Sequence, residues 1–283
     1  MHIKAAGLIV TGLVLVTGCS AGSSSPKAAP TASGTGPAAA PSPGGSTAPG
    51  DDGAAAGTAA AFRKWKIKPM APAPAPPKVK PVRTGSGVPP VVSDVPTKEK
   101  IVFVTFDDGA EKDPKFVTMM GELKIPFTMF LTDDIIRSDY GYFKPLQKLG
   151  NSIMNHTLTH PNLRTESESA QRHEICTQQT KLKAEYGSTP RLFRPPYGNL
   201  NEATKTAAKS CGLQALILWR ESMQIKGMQY QRGDKKLHPG DIILAHFRGP
   251  SELKGTSMTT MTANMLREIS DQGFTVARLE DYV

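Results

Sequence analysis

Residues 101–106 form an unbroken run of apolar and β-branched side chains, Ile-Val-Phe-Val-Thr-Phe, which is the pattern of a strand buried on both faces. Strands of this kind belong to parallel sheets covered by helices. Strand-like runs recur at 126–131, 152–154, 191–194, 214–219, 241–246 and 274–278, and helical spacing at 113–124, 132–149, 170–186, 203–210 and 259–272. We therefore predict an α/β fold. Length and strand count favour a distorted or incomplete (β/α) barrel over an open sheet, although the pattern fits both.

Composition places this fold in the second two-thirds of the chain. Of the 24 prolines and 26 glycines among 283 residues, 15 and 13 lie in residues 1–97. A segment so rich in Pro, Gly, Ala and Ser has too few large apolar groups to offset the entropy of ordering it. We predict a disordered linker over 19–87 and one folded domain over 88–283. Residues 91–95 fit either the end of the linker or a first strand of the domain.

The net charge of +9 does not indicate a nucleic-acid partner. Residues 1–97 hold nine Lys or Arg against three Asp, whereas 98–283 hold 25 basic and 22 acidic residues. Most of the excess therefore lies in the linker, where it fits contact with anionic lipid or wall polymer as well as a solvated spacer. Within the linker, residues 62–68 fit a short solvated helix or a surface-adhesion patch.

Residues 1–18 have the pattern of an export signal, with an apolar stretch that is too short for a permanent membrane helix. The tetrapeptide Val-Thr-Gly-Cys that ends at Cys19 resembles the bacterial lipobox, whose cysteine is acylated after cleavage. It predicts an extracytoplasmic protein, lipid-anchored through Cys19 to the outer face of the cytoplasmic membrane. A plain secretory signal with a chance cysteine is the alternative.

The two remaining cysteines, Cys176 and Cys211, lie in helix-like stretches of the domain. An exported protein is in a compartment that permits disulfides. A structural disulfide and two separately buried thiols are both consistent with the sequence.

Two carboxylates, Asp107 and Asp108, directly follow the first buried strand. Adjacent carboxylates repel each other unless a cation or a proton separates their roles, so one can bind a metal while the other serves as a base. An exposed Asp-Gly turn is the alternative. In (β/α) folds the reactive groups gather at these carboxyl ends of the strands.

A second cluster, Asn-His-Thr-Leu-Thr-His over 155–160, follows the predicted strand 152–154. We expect His156 and His160, four residues apart, to lie on one helical face and to share a divalent metal. Two imidazoles and one carboxylate leave a coordination position open for water, as catalytic sites require. Two surface histidines are the alternative, which the upstream Asp pair makes less favourable.

Two further clusters close the predicted site. Residues 193–198 read Phe-Arg-Pro-Pro-Tyr-Gly, so that Arg194 can pin a carboxylate while the prolines fix a backbone able to aim an amide at an oxyanion. An ordinary Pro-Pro turn is the alternative. His246 ends the apolar strand 241–246, where a lone histidine is more often a buried core residue than a catalyst.

In this order, the motifs TFDDG, HTxxH, RPPYG and LAH resemble those of the NodB-type polysaccharide deacetylases, carbohydrate esterase family 4, over about residues 98–283. The resemblance implies a distorted (β/α) barrel and a divalent metal, most often zinc, with cobalt or manganese as alternatives. The roles that it implies are Asp107 as base, Arg194 as its partner, Asp108, His156 and His160 as metal ligands, the Tyr197 N–H as oxyanion donor, His246 as acid, and Trp219, Leu244 and Pro196 as pocket residues.

The chain departs from the family pattern beside the acid histidine. Family members usually carry aspartates three and six residues after the Trp219 equivalent, where this chain has Ser222 and Ile225. Glu221 is the candidate substitute. An aspartate that often follows the histidine is replaced by Phe247.

The leading functional hypothesis is metal-dependent N-deacetylation of an extracytoplasmic GlcNAc-containing polysaccharide, peptidoglycan or a chitin-like polymer. In the mechanism that the resemblance implies, a water activated by the metal attacks the acetamide carbonyl, with Asp107 as base and His246 as acid. An O-deacetylase of acetylated xylan and a catalytically impaired wall-binding lipoprotein are the alternatives. We expect a monomer whose partners are the polysaccharide and the membrane.

Overall fold

The computed structural model describes residues 59–283, and the predicted alternation of strands and helices is confirmed there. The strands are β1 Val91–Val92, β2 Ile101–Asp108, β3 Thr128–Leu131, β4 Ser152–Asn155, β5 Leu192–Phe193, β6 Ala215–Ile217, β7 Glu221–Met223, β8 Met228–Tyr230, β9 Ile242–His246 and β10 Thr275–Val276. The helices are α1 at 59–64, α2 Pro114–Leu123, α3 Asp133–Ile136, α4 Phe143–Lys148, α5 Glu168–Tyr186, α6 Glu202–Ser210 and α7 Met258–Asp271.

The strands form one curled sheet in the order β1-β6-β5-β4-β3-β2-β9-β7-β8, with β10 beside the start of β2. Every pairing is parallel except that of the β7–β8 hairpin. Because β1 and β8 do not pair with each other, the sheet stays open, and the fold is the predicted incomplete (β/α) barrel. The carboxyl ends of the parallel strands therefore meet at one rim, which we call the top of the barrel.

Alternate residues of the central strands pack into two apolar layers on opposite faces of the sheet. On β2, Phe103 packs on the inner face, with Phe130 and Ile242 from the neighbouring strands. Val104 and Phe106 face outward, against the helices. This pattern explains the unbroken apolar run in the sequence, since both faces of β2 are covered.

Residues 59–87 pack along the bottom of the barrel, although the sequence analysis assigns them to the linker. Phe62 and Ile67 are buried in the outer core, and the Trp65 indole donates to Glu122 at 2.7 Å. The Lys80 ammonium donates to two backbone oxygens near the chain's end, those of Glu280 and Val283, at 2.7 Å each. The packed unit therefore begins before residue 88, because a few large side chains anchor an otherwise Pro- and Ala-rich segment. The helix at 59–64 is held by its apolar face and is not solvated all round.

Cys176 on α5 and Cys211 at the end of α6 form a disulfide in the structure. The bridge closes a loop of 35 residues and ties together two helices on the outside of the barrel. Within residues 59–283, none of the helices has the length and apolar character needed to span a bilayer.

Candidate active site

The top of the barrel brings together the polar clusters that the sequence places at strand ends. Asp107 and Asp108 end β2, and His246 ends the neighbouring β9, where it lies directly opposite Asp107 in the strand register. His156 follows β4 and Arg194 follows β5. Parallel register carries all five side chains to the same rim, which is why residues up to 139 positions apart meet.

Asp107 is held by a fully buried arginine. The Arg194 Nη1 donates to Asp107 Oδ1 at 2.7 Å and to the Thr105 hydroxyl at 2.7 Å. Its Nε and Nη2 donate to the carbonyls of Ile217 and Leu218 at 3.1 and 3.2 Å. Because the guanidinium is fully buried and hydrogen-bonded on several sides, it fixes the Asp107 carboxylate in one orientation.

Asp108, His156 and His160 form the one cluster of three metal-ligating side chains found within residues 59–283. Their ligand atoms lie within 4.8 Å of one another. The Asp108 Oδ1 is 3.4 Å from Nε2 of each histidine, and it is buried with no hydrogen-bond partner within residues 59–283. An unpartnered buried carboxylate oxygen between two imidazole nitrogens is the arrangement that a divalent cation would satisfy, so these residues fit the implied metal.

The two histidines do not share a helical face, as the sequence analysis expected. Residues 156–160 form an irregular loop, in which Thr157 and His160 have left-handed backbone angles, with φ of 71° and 63°. The loop is fastened to α5, since the Glu174 carboxylate accepts from the N–H groups of Leu158 and Thr159 at 3.0 and 2.9 Å. A tight loop, and not a shared helical face, therefore brings His156 and His160 together.

Contacts behind His156 fix the orientation of its ring. Its Nδ1 lies 2.7 Å from the Arg194 carbonyl, which can only accept, so Nδ1 carries the proton and Nε2 faces Asp108. The Thr132 hydroxyl donates to the His156 carbonyl at 2.9 Å. Burial lowers the pKa of His156, but the Asp107 and Asp108 carboxylates outweigh burial and raise it above its usual value. A bound cation would compete with a second proton for Nε2 of His156.

The Pro196–Gly198 turn lies beside this cluster. Tyr197 has a left-handed φ of 60°, and its hydroxyl lies 3.2 Å from His160 Nδ1. Gly198 is needed here, because a Cβ at this position would come within 3.1 Å of the Trp219 ring. Among the hydrogen bonds of the described residues, none involves the Tyr197 N–H. Pro196 and Leu244 are buried, and Leu244 is on the inner face with His246.

His246 is partly buried at the end of β9, next to Asp107. Burial lowers the pKa of its imidazole, and the opposing charges of Asp107 and Asp108 only partly offset this effect. Glu221 does not reach His246, contrary to the substitution that the sequence suggested. It lies opposite Ile243 in the register, so its side chain is on the outer face of the sheet, 3.5 Å from Arg232 Nη1.

The burial of Glu221 leads to a prediction about how the stability of the protein depends on pH. Burial and the charge of Asp241 raise its pKa to about 8, against an ordinary 4.5. Between these values the folded chain holds a proton that the unfolded chain has lost, so stability falls as pH rises, by up to about 1.4 kcal/mol per pH unit. We expect Glu221→Gln to raise the melting temperature at pH 8–9 and to leave it almost unchanged near pH 5. Parallel melting curves for the two proteins across this range would contradict the assignment, and exposed Glu166→Gln is the control.

Three residues position the reactive groups of the site, and of these only Thr105 belongs to a strand-end motif, TFDDG. Thr105 accepts from Arg194, Thr132 holds the His156 backbone, and Glu174 holds the 156–160 loop. Thr105 alone had a signal, as the one polar residue in a buried run.

Cys19 lies outside the described residues, and the Cys176–Cys211 bridge is on the helical exterior.

Comparison with known proteins identifies the family to which the chain belongs. A family model described as polysaccharide deacetylase matches residues 94–216. An uncharacterized protein of Streptomyces coelicolor is 43% identical over 200 residues, which cover 70% of this chain and 79% of that protein. A peptidoglycan-N-acetylglucosamine deacetylase of Bacillus cereus is 28% identical over 204 residues, which cover 68% and 93%.

A solved structure shares the fold. The family 4 carbohydrate esterase from Bacillus anthracis superposes with a TM-score of 0.55 at 24% identity, over 68% of this chain and 86% of that one. The strand-end motifs, the matched family model and the similar relatives lead to one conclusion. This chain belongs to the NodB-type polysaccharide deacetylases, carbohydrate esterase family 4, which are hydrolases acting on carbon–nitrogen bonds other than peptide bonds.

Proposed function

We propose that this protein is a metal-dependent N-deacetylase of a GlcNAc-containing polysaccharide outside the cytoplasm, with peptidoglycan as the first candidate. The observation that carries the proposal is the placement of the buried Asp107–Arg194 pair beside the Asp108, His156 and His160 cluster at one rim. A fixed carboxylate next to an open ligand set is the combination that amide hydrolysis needs.

Asp108, His156 and His160 would hold a divalent cation, for which zinc suits the nitrogen and oxygen ligands. When bound, such an ion polarises a carbonyl and lowers the pKa of water toward neutrality. The hydrogen bond from His156 Nδ1 to the Arg194 carbonyl supports this ligand role, since it directs Nε2 into the site.

The protein's own groups move the protons. Asp107, oriented by Arg194, accepts a proton from the attacking water as the new carbon–oxygen bond forms. The unpaired Tyr197 N–H donates to the carbonyl oxygen as negative charge develops there. His246 gives a proton to the departing sugar nitrogen as the carbon–nitrogen bond breaks. The products are acetate and a free amine on the sugar.

The choice of peptidoglycan rests on similarity and on the expected location. The Bacillus cereus relative is named for deacetylation of peptidoglycan N-acetylglucosamine. The lipobox-like sequence at Cys19 would place the enzyme at the outer face of the cytoplasmic membrane, close to that polymer. We expect Cys19→Ala to release the protein into the medium, as measured by fractionation and immunoblot. Unchanged membrane retention would refute acylation at this residue.

The function is tested with zinc-loaded protein and three substrates. Acetate release is measured from peptidoglycan, chitooligosaccharides and acetylxylan, with zinc content determined on the same samples. We expect about one zinc per chain and acetate from peptidoglycan, and His156→Ala is expected to lose both. Acetate from acetylxylan alone would indicate an esterase. Bound zinc without acetate from any polymer would indicate a binding protein.

A further inference from the structure

The imidazole of His246 has no hydrogen-bond partner among the described residues, although the residue is partly buried. The hydrogen bonds of residues 59–283 include the His246 carbonyl but neither of its ring nitrogens. A histidine that delivers a proton from Nε2 needs its Nδ1–H held by an acceptor, which fixes both the tautomer and the ring orientation. The acceptor must lie on the side of the ring away from Asp107.

A cavity of about 160 Å³ lies against His246. It is lined by Met223, Gln224, Ile225, Arg248, Glu252, Leu253 and Met261, together with His246 itself. Of these residues only Glu252 is a carboxylate, and Gln224 is the neutral alternative acceptor. The Gln224 amide nitrogen already donates to the Ser222 hydroxyl at 2.8 Å, so one end of this amide has a partner.

We propose that Glu252 is the positioning residue for His246, with its carboxylate accepting the Nδ1–H across this cavity, directly or through one water. The inference rests on the proposed function, because it assigns a partner to the acid of that reaction. Glu252 is not a catalytic residue in this scheme, since it touches neither substrate nor metal.

The backbone around Glu252 is fixed, which gives the side chain a defined origin. The N–H groups of Glu252 and Leu253 donate to the Gly249 carbonyl at 3.1 and 2.9 Å, and Leu253 is buried in the core. The loop therefore fixes the backbone of Glu252 at the cavity wall. The Glu252 side chain is 46% exposed, so it can rotate toward the cavity.

A basic side chain lies beside Glu252. The Arg248 Nε is 3.6 Å from Glu252 Oε1, near enough to stabilise the carboxylate without saturating it. The pKa of His246 is lowered by burial, raised by the charges of Asp107 and Asp108, and lowered by those of Arg248 and His156. Asp107 lies directly opposite His246 at the reacting rim, whereas Glu252 is the carboxylate among the residues that line the cavity.

A double-mutant cycle between Glu252 and His246 tests the inference with zinc-loaded protein. We expect Glu252→Gln to lower kcat about tenfold with KM and zinc content unchanged, and Glu252→Asp to recover part of the loss. In a His246→Ala background, Glu252→Gln should cause no further loss. Wild-type kcat in Glu252→Gln, or a full additional loss in the His246→Ala background, would overturn the proposal. Glu99→Gln, which removes an exposed carboxylate at the bottom of the barrel, is the matched control.

A measurement without catalysis separates this inference from the proposed function. In nitrogen-15 NMR spectra of the zinc-loaded protein, we expect a protected Nδ1–H on His246 that disappears in Glu252→Gln and persists in Glu99→Gln. That result without acetate release would leave the positioning role standing and remove the proposed reaction. Acetate release together with an Nδ1–H signal unaffected by Glu252→Gln would support the proposed reaction and overturn the positioning role of Glu252. Loss of the signal in Gln224→Ala would assign that role to Gln224 instead.

Discussion

Replacing Asp107 by Asn is expected to lower kcat for deacetylation by about 10² to 10⁴, the usual contribution of a general base. The amide keeps the shape of the carboxylate, and its oxygen can still accept from Arg194, which now donates to Asp107 at 2.7 Å. The variant should therefore fold normally. What it loses is the ability to take a proton from the attacking water.

Zinc content separates this effect from damage to the metal site. Asp107 is not in the ligand cluster, so Asp107→Asn should bind zinc as the wild type does. Asp108→Asn makes the same chemical change one residue further along and should lose zinc together with activity. Wild-type activity in Asp107→Asn would exclude the assigned base, and loss of zinc in that variant would place Asp107 among the ligands.

The second large effect is on stability. We expect Arg194→Met to lower the free energy of unfolding by about 3–5 kcal/mol, because it leaves the Asp107 carboxylate buried without a counter-charge. Arg194→Lys should also be destabilised, since an ammonium cannot reproduce donation to two carbonyls, a hydroxyl and a carboxylate at once. Urea unfolding monitored by circular dichroism measures the difference.

A double variant identifies the cause of that loss. In Arg194→Met with Asp107→Asn no charge is left unpaired, so the double variant should be more stable than Arg194→Met alone. If the double variant is as unstable as the sum of both changes, lost packing of the arginine accounts for the effect instead. Exposed Arg164→Met is the control for the change of residue type.

The strand ends were predictable from the sequence because two local rules determine them. A doubly buried run such as 101–106 specifies a central parallel strand, and polar residues that directly follow such strands must lie at one rim. The positions of Asp107, Asp108, Arg194 and His246 follow from these rules.

Features that depend on backbone angles or distant packing were not predictable. The 156–160 loop requires left-handed angles at Thr157 and His160, which their side chains do not favour, so its shape comes from Glu174 on another element. The outward direction of Glu221 depends on the register between β7 and β9. The packing of 59–87 depends on a few anchors, Phe62, Trp65 and Ile67, that composition averages away.

The packing of residues 59–87 also places both described ends of the chain at one end of the barrel. Ala71 accepts from Thr275 beside the start of β2, and Lys80 holds the last residue of the chain, so both described ends lie at the bottom. The reactive rim is at the other end of the strands. A coupling group placed at either described end would therefore lie at the opposite end of the barrel from the reactive rim and would leave the rim open to an insoluble polymer.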